Sequence, residues 1–170
     1  MKMIEAVELA ALETYLRGQG NTTDNLNQIR RFSRHWLVQL TAQEFFGLVF
    51  LQIPGLSEIC PQGHDRTLRA VAGRANKLGQ PNLCPNWNLT ENLHRMREHI
   101  VSGEITFPPL LLRESTPNEE RYGPFYLQDG SHRALAYASL VLIGEVHFDE
   151  RLAYSSMSEP VCNKLLGQKI

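Results

Sequence analysis

The sequence predicts an α/β fold of the α+β kind: a small mixed sheet with surrounding helices, an extra N-terminal helix and a helical insertion. Three observations carry this. Short apolar runs of strand character recur at 35–40, 105–113 and 125–127, bounded by polar or glycine-containing stretches. Between them lie longer stretches, at 66–78, 90–101 and 134–143, whose apolar residues recur at the three-to-four spacing of one helix face. The chain has 170 residues and no internal repeat or low-complexity stretch, which suits one domain.

In chain order, residues 3–17 read as a helix, with Ile4, Val7, Leu9, Ala11, Leu12 and Leu16 on a broad apolar face and Gly18 as its stop. Residues 18–27 are polar and read as a linker. His35 to Leu40 reads as a strand. Thr41-Ala42-Gln43-Glu44 then matches a capping box, in which hydroxyl and carboxylate satisfy amides at a helix start. That helix is expected to run to about Leu51, with Pro54-Gly55 closing the unit. Residues 59–65 read as loop, and the helix over 66–78 buries Leu68, Val71, Ala72, Ala75 and Leu78, with Gly79 just past its end. A second loop covers 80–88, and Leu93, Met96 and Ile100 mark a helix over 90–101. In the strand-like run 105–113, Pro108-Pro109 confines the first half to an edge or a strand entry. A polar loop spans 113–123, a short strand 125–127 and a strongly apolar helix 134–143. A last short strand is expected at 145–148, and a helix or loose tail over 161–170.

Composition narrows the function. The chain is 42% hydrophobic and 21% charged with net charge −1, so as a whole it is no electrostatic match for nucleic acid or an anionic membrane. No run approaches ~18 apolar residues, so no membrane span is expected. Glu5, Glu8 and Glu13 in the first sixteen residues are unlike a secretory signal. Cys60, Cys84 and Cys162 are odd in number and far apart, which fits a reducing, cytoplasmic setting without disulfides. Cys60 and His64, with Cys84 and His94 or His99, have one usable zinc spacing but no Cys-x-x-Cys pair, and no structural zinc is expected.

The chemistry concentrates in Asp129-Gly130-Ser131-His132-Arg133, between an apolar strand and an apolar helix. Gly130 permits positive φ or close backbone approach. The first amides of a helix have no partners within it, and the helix dipole adds positive potential there, so the turn attracts anions. Arg133 adds a forked cation and His132 a titratable donor. Asp129 or Ser131 can cap the helix. Asp129 can also hold a metal or orient a hydroxyl. The plain alternative is that Asp-Gly-Ser is an ordinary turn.

This stretch resembles the ParB/sulfiredoxin-like superfamily, which carries a Gly-x-x-Arg-type box, often Asp-Gly-x-His-Arg, between strand and helix. The resemblance extends to the helix over 90–101, to Phe107-Pro108-Pro109-Leu110-Leu111-Leu112, to the strand at 36–40 with its capped helix, and to 145–148. It covers about 34–150. Residues 1–33 stand as an N-terminal helical extension and 151–170 as a C-terminal tail. The resemblance implies that Gly130, Ser131, His132 and Arg133 hold the phosphates of a nucleotide such as ATP or CTP, with Mg²⁺ on Asp129. Ser131 and Gly130 stand where sulfiredoxin has its reactive Cys, so that repair chemistry is not expected. His132 replaces an Arg of the ParB partition proteins, and no helix-turn-helix module follows. The stand-alone branches remain: nucleotide-dependent phosphotransferases, nucleotide hydrolases and nuclease-like proteins.

The expected function is therefore hydrolysis of a nucleoside triphosphate or transfer of its phosphoryl group, with His132 and Asp129 as catalytic candidates. Glu44 is a candidate base that is also accounted for as a cap. Arg66, Arg69, Arg74 and Lys77 fall within ~140° on the side of their helix opposite its apolar residues; they are either a solvated face or a contact surface for nucleic-acid phosphates. The cluster Arg30, Arg31 and Arg34 has the same two readings. A metal-dependent nuclease, a DNA-binding regulator and a non-catalytic protein-binding module stay open.

Overall fold

The computed structural model describes residues 1–20, 23–50, 59–78, 87–104, 107–117 and 123–167, with 87–92 as backbone alone. Among them are seven helices and one six-stranded mixed sheet. The elements are β1 (Lys2–Ala6), α1 (Leu9–Gly18), α2 (Thr23–Ile29), β2 (Arg34–Leu40), α3 (Ala42–Gly47), β3 (Val49–Phe50), α4 (Leu68–Leu78), α5 (Trp87–Val101), β4 (Leu110–Glu114), β5 (Phe125–Asp129), α6 (Ser131–Leu142), β6 (Arg151–Met157) and α7 (Glu159–Leu165). The sheet order is β1-β2-β6-β4-β5-β3. The β4–β6 and β3–β5 pairs are parallel and the other three antiparallel. No helix among the described residues is long and apolar enough to cross a membrane.

The sheet separates two apolar layers. On one face Leu40, Leu110, Leu112 and Leu127 meet Phe45 of α3, Val71 of α4, Leu93 of α5 and Leu135 of α6. On the other face Leu111, with Tyr154 beside it, is covered by Leu12 and Leu16 of α1 and Leu26 and Ile29 of α2. Leu110 and Leu111 are adjacent in sequence and serve opposite layers, as the two-residue strand period requires.

Several elements differ from expectation. Residues 2–6 form an edge strand antiparallel to β2, so the N-terminal helix begins at Leu9. Ile4, expected on the helix face, is 45% exposed on that strand. The linker region contains α2. The helix after Thr41 ends at Gly47, and Val49–Phe50 pairs in parallel with Tyr126 and Leu127. The strand read from Ile105 begins at Leu110, and residues 107–109, including both prolines, carry no ladder. Residues 145–148 are not a strand but a connection, held where the Tyr137 hydroxyl donates to the carbonyl of His147 and accepts from the amide of Asp149. The strand lies further on, at Arg151–Met157, between β2 and β4, so the segment read as a tail enters the middle of the sheet. Pro54-Gly55, Gly79 and most of the 80–88 loop lie outside the described residues.

Candidate functional site

The sequence fixes the turn at Asp129–Arg133 through one residue, Gly130. Its φ of +84° lies in the left-handed region, and a Cβ there would stand 2.7 Å from Leu110 Cδ2 and 3.3 Å from the terminal Nη2 of Arg133. β5 can therefore turn directly into α6 only with glycine at this point. Gly130 is itself the N-cap, the place the sequence offered to Asp129 or Ser131, and as a glycine it brings no side chain to the helix start. The first amide bonded within the helix is that of Ala134, to the carbonyl of Gly130. The amides of residues 131–133 precede it and have no acceptor in the helix.

Arg133 folds back over this turn, with its Nη2 and Nε within 3.3 and 3.8 Å of the place a Gly130 Cβ would occupy. Its Nε is buried and has no hydrogen-bond partner among the described residues. A buried donor without an acceptor costs ~1–3 kcal/mol, which an oxygen acceptor brought to the turn would recover. A cation at a helix N-terminus is also disfavoured by the dipole, by ~0.3–1 kcal/mol. The arrangement therefore stands to gain from an anion.

His132 keeps an exposed edge, yet crowding around the ring lowers its pKa from the ordinary value, with the Asp129 charge opposing the shift. It is thus a neutral imidazole near pH 7. A bound anion would push its pKa back up. Asp129 ends β5 at an irregularity in the ladder between Leu111 and Leu112. Asp129 is a single carboxylate, and Mg²⁺ held by so few protein ligands takes the rest of its shell from water or a bound phosphate.

Four further contacts steady the site, and sequence reasoning did not single them out. The Gln128 side-chain amide donates to Asn25 of α2 at 2.8 Å, and Arg113 Nε donates to Gln128 at 2.9 Å, so α2, β5 and β4 are tied together one residue before the turn. Arg113 is buried and lies 4.7 Å from the centre of the Tyr126 ring. Tyr15 of α1 packs on Tyr154 in the same layer. The pairing of β4 with β5 and the packing of α1 and α2 on the sheet make these residues neighbours.

The remaining candidates stand elsewhere. Glu44 completes the capping box, accepting from the backbone amide of Thr41 at 2.9 Å, and pairs with the Met1 ammonium. It follows β2, three strand spacings or ~14 Å from β5, so it does not join the turn. Arg66 precedes α4, is buried and donates to the Phe50 carbonyl at 2.9 Å. Arg74 donates to the carbonyls of Ile59 and Asp65, both at 2.6 Å, and the Arg69 guanidinium lies 4.5 Å from the centre of the Phe46 ring. These three arginines hold the carbonyls of Phe50, Ile59 and Asp65 and the end of α3; Lys77 is exposed. Arg30 forms a two-pronged pair with Glu13, and Arg34 pairs with Glu159. Cys60 and Cys162 are buried free thiols, Cys84 lies outside the described residues, and His94 and His99 pair with Glu98 and Glu104. A cavity of about 500 Å³, lined in part by His35, Trp36 and Cys162, includes none of residues 129–133.

Compared with family models, with curated proteins and with solved structures, the chain matches none. What the fold and the turn define together is a mixed α/β protein with an anion-attracting helix start at the end of an inner strand.

Proposed function

We propose that the protein binds a nucleoside triphosphate at Asp129–Arg133 and hydrolyses it or transfers its phosphoryl group. The observation that carries this is the start of α6, where a left-handed glycine N-cap, the first amides of the helix and a guanidinium whose buried Nε has no partner among the described residues meet. The amides of residues 131–133 cradle phosphate oxygens and Arg133 neutralises their charge. His132 donates a hydrogen bond through its one N–H, and Asp129 holds Mg²⁺. Such sites act mainly by positioning and by electrostatic stabilisation. The resemblance of the box to the ParB/sulfiredoxin-like superfamily supports the same reading, with ATP or CTP as the nucleotide.

The test is thermal unfolding with ATP, CTP, GTP and ADP in the presence of Mg²⁺. A ligand at 100 times its dissociation constant adds ~2.7 kcal/mol, which for a chain of this size raises Tm by about 5–10 °C. Release of inorganic phosphate from the stabilising triphosphate then establishes hydrolysis. No shift with any of the four overturns the proposal.

A further inference from the structure

The sheet register points to a contact surface beyond the turn. Tyr154 of β6 stands opposite Leu111 of β4, and Leu111 stands opposite Asp129 of β5. The three form one row across adjacent strands, with Tyr154 two strand spacings, ~10 Å, from Asp129. Leu111 and Tyr154 both belong to the layer under α1 and α2. Tyr15 of α1 packs on Tyr154, with ring centroids 4.9 Å apart and planes tilted by 58°. Both tyrosines are half-buried. Burial foremost raises the Tyr15 pKa, with Tyr154 and Asp129 adding to the rise and Arg133 opposing it. The phenol is therefore neutral near pH 7 and within electrostatic reach of both charged residues of the turn.

We propose that the Tyr15–Tyr154 pair is the surface on which the planar base of a bound nucleotide lies while its phosphates sit at the start of α6. This rests on the anion-binding reading above and deepens it. An aromatic face stacks on any base and offers nothing to an inorganic anion, so the pair selects nucleotides over polyphosphate without choosing strongly among bases. It also gives residues 1–33 a role: α1 supplies one wall of the site.

The experiment is calorimetric titration of ATP, CTP and inorganic tripolyphosphate, each with Mg²⁺, into the wild type, Tyr15→Leu and Tyr15→Phe. The wild type is expected to bind the nucleotides at least tenfold more tightly than tripolyphosphate. Tyr15→Leu loses most of that preference and binds tripolyphosphate as the wild type does, whereas Tyr15→Phe, which keeps the ring, retains it. A wild type without preference, or a Tyr15→Leu variant with its preference intact, overturns this inference and leaves the anion site standing. Failure of all three ligands to bind the wild type overturns the anion site itself. If Tyr15→Leu does not fold, photolabelling of the wild type with an azidoadenosine triphosphate decides: label on the peptides containing Tyr15 or Tyr154 supports the inference, and label confined to other peptides overturns it.

Discussion

At the scale of single residues, the turn sets a left-handed glycine beside a buried donor, and a core histidine shows what burial alone does. Gly130 gives up side-chain packing to reach φ of +84°, and beside it Arg133 buries an Nε that, like Arg151 Nε and Ser155 Oγ elsewhere, has no partner among the described residues. Adjacent costs of this kind are expected where a ligand completes the structure. His35 is the contrast. Only 6% exposed, with Nδ1 2.9 Å from the Ser156 hydroxyl, it is a core histidine. Burial lowers its pKa, against the opposing charges of Glu13 and Glu8. The sign follows. Above its unfolded value of 6.5 neither state is protonated and the fold carries no penalty. Below it the unfolded chain takes up the proton first, so stability falls as pH drops through the lowered folded pKa. His132 is shifted in the same direction and adds to the effect. Melting between about pH 7.5 and about pH 5.5 should show declining stability in the wild type and a shallower decline in His35→Gln, which keeps a hydrogen-bonding side chain without titrating. Equal slopes would assign the decline to other groups.

At the scale of elements, α3 and α6 begin in opposite ways. Thr41 and Glu44 satisfy the first amides of α3 from within the chain. At α6 the N-cap is Gly130, which has no side chain to do so. Thr41→Ala should therefore cost ~1 kcal/mol, lowering Tm by a few degrees, and leave nucleotide affinity unchanged. A parallel loss of affinity would place α3 at the site. The capping box was legible because its pattern is local, and so was α6, whose apolar run ends at Gly144. Strands that depend on distant partners were harder to read. Lys2–Ala6 has good helix formers and becomes a strand only by lying against β2. β6 was missed because Ser155 and Ser156 make it look exposed, yet both are fully buried. Ser156 earns its place through His35, 121 residues away, a pairing no local pattern reveals. Val49–Phe50 is too short to show any period.

At the scale of the whole molecule, the site is a product of layering. The turn after β5 lies at the end of a strand between β4 and β3, with α6 on one face of the sheet and α1 and α2 on the other. The sequence showed the turn, its glycine and its cation, because these are neighbours in the chain. It did not show that residues 1–33 and 151–157 close the opposite layer. Nor did it show that Arg66 and Arg74, which read as a basic face, are bound to backbone carbonyls. The central claim is that Arg133 is held for an anion rather than for the fold. It is tested most directly by titrating ATP and CTP, with Mg²⁺, into the wild type and Arg133→Ala, alongside ligand-free melting of both. The account predicts at least a tenfold loss of affinity, since losing a charge-assisted bond costs ~1.5–3 kcal/mol, with ligand-free stability unchanged or slightly raised as the unfavourable dipole and orphan-donor costs disappear. An Arg133→Ala protein that binds nucleotide as the wild type does, or that fails to fold, would contradict it.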